Sequence, residues 1–573
     1  MDEIKAKRNV RVRSWSGFII TVAAIVITAS ALGLLRLRLD LTEDRRYTLG
    51  PVTHRILEKV KNDIFIQVYL DGDMPVPLKK LKRSVQEMLE EFRIASGRKI
   101  DYEFINPAAA KDAKQRSEQY TGLYKKGLNP LRIQASDAEG GASQKIIFPG
   151  MIINYNGAEL PVNILENNQS ASYEQNILHS MEGLEYQLVQ TIATITSDTV
   201  YKVAFLEGHG ELSQPEVEDI TMNLAKYFTV DRGTIGGKPG VLDHYSALII
   251  ADPAREFNEA DKLVIDQYIM NGGKVLWLYD EVAVNTDSLA FGETVGLYHP
   301  LNIEDLLFRY GARVNPVLVQ DVDCEVQPFA VSTGGGQKQI VPAPWVYFPK
   351  LIPNQHHPVT RNLNRVLGRF VNTIDTVGLD PSVRKTILLT TSGYSRTISP
   401  PMVISLKEAE RNPDPKEFTK SHLPVALLLE GSFTSAFRNR ITSNLVKDPG
   451  FRPRLTGAKT RQIIIADGDI IRNDVRRSGS SETPLRLGQD EYTGEMFGNR
   501  DFLINCMNYL VDNNGLIDLR SRELKMRLLD NHKVKAERTL IQLVNILVPV
   551  ALVIIAAFAF NFFRRRKYTR SVE

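Results

Sequence analysis

Residues 201–212 read YKVAFLEGHGEL: a strand-like run over 201–206, broken by Gly208-His209-Gly210-Glu211. Downstream, Val217, Ile220 and Leu224 recur at helical spacing, and ALIIA at 247–251 is the unbroken apolar run of a buried strand. Asn258 can cap the next helix, Gly272-Gly273 can end it, and residues 274–279 (KVLWLY) read as a further strand. Strands alternating with helices of about 10–15 residues predict an α/β fold with a doubly wound parallel sheet and helices on both faces. The strand-like runs 386–390, 425–429 and 462–466 are expected to extend that sheet or form a related one. Between them, residues 320–385 and 431–460 are rich in Pro, Gly and Asn, include Gly334-Gly335-Gly336, and read as loops and insertions.

Upstream lies a smaller α/β unit. Gly50-Pro51 opens a helix with proline at its first position, and IFIQVYL at 64–70 reads as a strand. Leu78, Leu81, Val85, Met88, Leu89 and Phe92 then mark one helical face, and Ile100, Tyr102 and Phe104 alternate with Asp101 and Glu103. Strand, helix and strand in that order suggest a βαβ-like unit. Asn156-Gly157 between 151–155 and 160–164 is a hairpin signal, and Ile177, Met181, Leu184, Leu188 and Ile192 define a long helix that ends the unit near residue 198. The unit reads as thioredoxin-like in outline, but without a C-x-x-C redox chemistry is not expected there.

The chain has 573 residues, 43% hydrophobic and 24% charged, room for several cores at roughly 150 residues per domain. Two cysteines, Cys324 and Cys506, exclude a disulfide scaffold and a Cys-rich metal cluster, and leave open whether they pair. The net charge of +4 is carried at the ends. Residues 1–14 hold Lys5, Lys7, Arg8, Arg11 and Arg13 against Asp2 and Glu3, and residues 564–573 hold Arg564, Arg565, Arg566, Lys567 and Arg570 against Glu573. The large middle is slightly acidic, so no nucleic-acid partner is expected.

Residues 15–35 and 540–563 are apolar stretches long enough to cross a bilayer, each flanked by a basic tail on its outer side. The positive-inside rule then predicts two spans, both termini in the cytosol and the body exported. The competing reading of the first stretch is a cleaved signal peptide with Ala29-Ser30-Ala31 at its site, and whether it is cleaved stays open. Gln542, Asn545 and Pro549 in the second suggest either contact with neighbouring membrane helices or a plain anchor with a mild kink. The expected order is basic tail 1–14, first span 15–35, α/β unit 36–198, larger α/β unit 199–518, membrane-proximal helix 519–539, second span 540–563 and basic tail 564–573.

Ligands of open α/β sheets bind beyond the carboxyl ends of the strands. His209 and Glu211 follow the first such strand, and Asp252, Asp280, Glu281, Asp467 and Asp469 follow others. His209, Glu211, Asp252, Asp280 and Asp467 are thus candidate ligand-binding residues. The bland alternative is a glycine-permitted turn with acids capping helix N-termini. His356-His357 lacks a placed carboxylate partner, so no metal is expected. The segment 457–460 (GAKT) is not a phosphate loop, and no G-x-S-x-G elbow occurs, so neither ATP hydrolysis nor nucleophilic catalysis is expected. Trp277 and Tyr279 could line a pocket, but a Trp/Tyr pair on such a strand is more often core.

DLTEDRRYTLGPVTHRIL (40–57), VAFLEGHGEL (203–212), YIMNGGKVLWLYDE (268–281), NIEDLLFRYGARVNPVLVQD (302–321), HHPVTRNL (356–363), IIIADGDIIRND (463–474) and NRDFLINCMNYLVDNNGLIDLRSRELKMRLLD (499–530) together resemble the gliding-motility-associated ABC transporter auxiliary proteins of the GldG type, often labelled substrate-binding subunits. The resemblance implies an amidotransferase-like or flavodoxin-like second unit, similar to a domain of intraflagellar-transport proteins. It also implies a non-catalytic auxiliary subunit working with an ABC permease and a separate cytosolic ATPase in the bacterial inner membrane, with a periplasmic body. No cofactor is expected, membrane lipid is an expected contact, and homo-oligomerisation stays open. The alternative is a subunit binding a glycan or other exported cargo.

Overall fold

The computed structural model describes residues 48–521 and 537–569 together with positions 20, 23, 24 and 27, except 110–111, 137–141, 167, 169–170, 198–199, 334–336, 379, 441–444, 446–450, 479–480, 491 and 513. The basic tail 1–14, most of the first apolar stretch, Gly334-Gly335-Gly336 and most of the membrane-proximal stretch lie outside the described residues. The chain divides into two compact units, Met1–Arg522 and Glu523–Glu573.

In the first unit, Pro51 stands in the opening turn of the helix Pro51–Glu58, where its missing N–H leaves no bond unmade. Ile64–Val68 and Ile100–Phe104 pair in parallel, joined by Val76–Ala95, whose Leu78, Leu81, Val85, Leu89 and Phe92 form one buried stripe. The hairpin of Gly150–Tyr155 and Ala158–Asn163 turns on Asn156 (φ 50°) and Gly157 (φ 85°), the two left-handed positions that a tight turn matching strand twist requires. These strands form a four-stranded sheet. The long helix Tyr173–Thr196 begins in a capping box of Ser172 and Gln175. Its Glu185 accepts hydrogen bonds from Gly50 N and Thr53 Oγ1, both at 2.6 Å, which fastens the opening helix to it.

The large sheet contains five parallel strands. Lys202–Glu207 pairs with Thr229–Thr234 and with Ala247–Ala251, and Val275–Leu278 pairs with Ala247–Ala251 and with Thr456–Ile465. Counted in chain order they lie 2-1-3-4-5. Val203, Phe205, Ile249, Leu276 and Ile463 enter one core with Ile220, Leu224, Phe502 and Cys506. Ala204, Leu206, Ile250, Trp277 and Ile464 enter a second with Val264, Ile265, Leu307 and Tyr310. Helices therefore cover both faces of these strands, as their alternation in the sequence requires.

The sheet is not parallel throughout. Pro424–Thr434 runs antiparallel to Thr456–Ile465, Val383–Thr390 antiparallel to Pro424–Thr434, and Gln337–Pro353 with Cys324–Thr333 continues antiparallel to the edge. The runs 386–390, 425–429 and 462–466 all join this one sheet, but only the last is parallel to its inner neighbour. Parallel pairing needs a crossover, and where the chain returns beside the strand it left, pairing is antiparallel.

Residues 320–385, expected as loops, instead carry much of this antiparallel half. Over 337–345, Gln337–Pro353 pairs with Cys324–Thr333 and has no strand on its other side among the described residues. An open edge tolerates proline, which is why Pro342 and Pro344 read as loop residues in the sequence. Trp345, Tyr347, Phe370, Leu318 and Ile404 build a third core beneath it. Cys324 lies in that core and Cys506 under the parallel strands; both are buried and unpaired.

The second unit is described as one helix, Arg538–Thr569. Its segment Arg538–Arg566 is long and apolar enough to cross a membrane, with side chains facing outward. Among the described residues it is the one candidate span, and it contains Pro549.

Candidate functional site

Gly208 (φ 120°) and Gly210 (φ 78°) adopt backbone that side chains rarely take, so the chain reverses immediately beyond the Lys202–Glu207 strand. The reversal buries His209 between two carboxylates. Its Nδ1 lies 3.1 Å from Glu211 Oε1 and its Nε2 3.2 Å from Asp261 Oδ2, while its ring stacks on Phe257 at 3.8 Å and 11°. Asp261 is itself held by Gly237 N (2.7 Å) and Asn258 Nδ2 (2.7 Å), and its own N–H donates to the capping Asn258 Oδ1 (2.9 Å).

This turn sits where the strand order reverses, between the first and third parallel strands. Such a switch point opens a crevice in which α/β sheets take ligands. Here the loop after Ala247–Ala251 folds across it: Ala254 N and Arg255 N donate to His209 O at 2.9 and 2.8 Å, and Leu212 N donates to Ala251 O at 3.0 Å. The two loops satisfy each other's backbone groups, and the His209 side chain, braced by Glu211 within its own turn, ties the first loop to Asp261 at the start of the next helix.

Three other sequence candidates converge on a second place. Asp252, Asp280 and Asp467 follow three adjacent parallel strands, and Asp469 joins them. Oxygens of Asp280, Asp467 and Asp469 all lie within 4.8 Å of one another. Arg472 reaches Asp252 Oδ2 at 2.9 Å, Asp469 Oδ1 at 2.6 Å and Glu216 Oε1 at 3.6 Å. Gly468 N donates to Asp280 Oδ2 at 3.2 Å, and Arg369 N and Asp469 N donate to the two oxygens of Asp467, each at 2.8 Å. Burial, reinforced by the neighbouring Asp469, pushes Asp252 up to about 7. Burial and mutual repulsion hold Asp280 and Asp467 well above the usual carboxylate range.

The candidates thus fall into two groups: His209 with Glu211, and Asp252 with Asp280 and Asp467. Glu281 belongs to neither. It is buried near Glu304, and burial pushes its carboxyl up to about 8. Trp277 and Tyr279 are core residues, with Trp277 Nε1 donating to Gln462 Oε1 at 3.0 Å. His357 is buried against Tyr509, with ring centroids 5.1 Å apart, while His356 is exposed. A surface groove of about 690 Å³ between Tyr298, Arg313, Thr373 and Lys420 includes none of the candidates. Sequence reading missed Asp261, Glu216 and Arg472. Asp261 and Glu216 carried a signal, each standing three residues after a capping residue, Asn258 and Ser213.

Residues 201–506 match the family described as an ABC-type uncharacterized transport system, and residues 43–154 match a domain family of unknown function. An uncharacterized protein of Borreliella burgdorferi is 21% identical over 543 residues, covering 92% of this chain and 94% of that protein. The solved "mmIFT52 N-terminal domain" is 13% identical with a TM-score of 0.31, over 55% of this chain and 98% of that one. The matched segment holds the parallel sheet, both carboxylate groups and the antiparallel extension, and by it the chain belongs to the ABC-type transport-system auxiliary family.

Proposed function

We propose that this protein is a non-catalytic auxiliary subunit that couples an ABC permease and a separate cytosolic ATPase to an exported α/β body, in envelope export of the kind that serves gliding motility. The family match over residues 201–506 carries this reading. The C-terminal helix supports it: an outward-facing apolar segment ending in Arg564, Arg565 and Arg566 suits a span whose basic end stays in the cytosol. On this reading residues 15–35 form a second span in the inner membrane, the body lies in the periplasm, and the five parallel strands with their 2-1-3-4-5 order are a flavodoxin-like core. Filling of the switch-point crevice by the chain's own loop favours a scaffold over a cargo-binding subunit at that place.

The test is crosslinking in cells followed by purification in mild detergent and identification of the co-purifying chains. A multi-span permease and an ATPase at fixed stoichiometry are expected. Recovery of the protein alone, or with envelope assembly factors only, would remove the transporter role.

A further inference from the structure

We infer that Asp280, Asp467 and Asp469, at the carboxyl edge of the parallel strands, form a binding site for a hard divalent cation of the calcium or magnesium class.

Charge balance is the first ground. Arg472 pairs with Asp252, Asp469 and Glu216, while Asp280 and Asp467 lie beside them with no ion pair among the described residues. The guanidinium of Arg369 is committed elsewhere, pairing both nitrogens with Asp474 at 2.9 Å, and gives Asp467 only its backbone N–H. Buried carboxylates at this density need positive charge or protons to coexist.

The second ground is an orphaned atom. Asp280 Oδ1 is sealed from solvent and has no hydrogen-bond partner among the described residues, although its sister oxygen accepts from Gly468 N. A buried carboxylate oxygen without a donor forfeits its hydration with nothing in return. A cation between Asp280, Asp467 and Asp469, one oxygen of each already within 4.8 Å of the others, would relieve the repulsion and, bound through Oδ1 of Asp280, would give that oxygen a partner.

The donor set fixes the class of ion. All three side chains offer carboxylate oxygen, with no thiolate or imidazole among them, which suits calcium or magnesium over zinc or copper. Asp252 stays paired with Arg472 and lends the site negative field. The inference does not depend on the transporter role.

The experiment uses the full-length protein in detergent, stripped with EDTA, then titrated calorimetrically with calcium chloride and separately with magnesium chloride at constant ionic strength. One site per chain is expected for at least one ion, with the stronger binder naming the resident cation. Asp280→Asn and Asp467→Asn should each weaken binding at least tenfold, and the surface variant Asp73→Asn should leave it unchanged. Where Asp280→Asn or Asp467→Asn fails to fold by circular dichroism, Asp469→Asn replaces it. Absence of binding by either ion would overturn the site. So would unaltered affinity in the folded cluster variants, or a melting temperature that responds to pH between 6 and 8 but not to either cation, which would mean that shared protons fill the cluster instead.

Discussion

His209 Nε2 lies 3.2 Å from Asp261 Oδ2, joining the turn after the first parallel strand to the start of the helix Glu259–Met270. The contact closes the one crevice that the strand order opens, because the His209 carbonyl also accepts from Ala254 N and Arg255 N. His209→Ala removes two buried side-chain contacts and the stack on Phe257, and should destabilise the body by about 2–4 kcal/mol. Denaturant unfolding of the full-length protein checks this. Unchanged stability would mean that the ring is not a strut and would reopen a ligand role for it.

Asp266 is a second node. Its carboxylate accepts from Tyr310 Oη (2.8 Å), Ser435 Oγ (2.7 Å), Ala436 N (2.9 Å) and Gln267 Nε2 (2.8 Å), all in a buried setting. Asp266→Ala takes this acceptor from Tyr310 Oη, Ser435 Oγ and Ala436 N, while Gln267 Nε2 keeps Arg454 O, and should cost about 3–5 kcal/mol. Asp266→Asn keeps one acceptor oxygen and should cost less. Thermal melts of the two variants give the order, and equal effects would contradict it.

Glu166 should make stability depend on pH. Burial, opposed by Arg520 and reinforced by Asp501 and Glu182, raises its carboxyl from the ordinary 4.5 to about 7, and its Oε2 is buried without a partner among the described residues. The folded chain therefore holds this proton more tightly than the unfolded chain does. Its contribution is fully present below about pH 4.5 and is lost as pH rises through about 7. Glu166→Gln should flatten this part of the profile, gaining on the parent protein in melting temperature between pH 5 and 8. Parallel curves for the two proteins would show that Glu166 does not carry the effect.

The C-terminal helix should hold the chain in the bilayer. Leu547 and Ile554 lie inside the apolar segment and point outward. Arginine at a helix centre costs about 2.5–3.5 kcal/mol on insertion scales, so Leu547→Arg with Ile554→Arg should weaken retention by this segment sharply. Carbonate extraction of a tagged fusion carrying residues 537–573 measures it directly. Full retention of the double variant would argue against a lipid-facing span.

Elements whose signal is local were legible. ALIIA at 247–251, the Asn258 cap, the Asn156-Gly157 turn and the stripe Leu78 to Phe92 all form as read, because period, cap and turn chemistry act within a few residues. The hairpin of Cys324–Thr333 and Gln337–Pro353 was hidden, since prolines on an open strand edge resemble prolines in loops. The sequence placed acids after several strands, but it could not say that His209 and Glu211 would be absorbed in closing a crevice.

By itself the chain dictated alternating strands and helices, a helical apolar C-terminal segment and basic flanks, since each follows from composition over a short window. Only the folded chain decided that Thr456–Ile465 lies beside Val275–Leu278 and that the antiparallel strands extend the sheet from there. That choice brings Asp280, Asp467 and Asp469 together and sets Arg472 against Asp469. Strand periodicity fixes which face a residue takes, whereas strand order depends on long-range pairing and loop closure, for which no short stretch of sequence carries a signal.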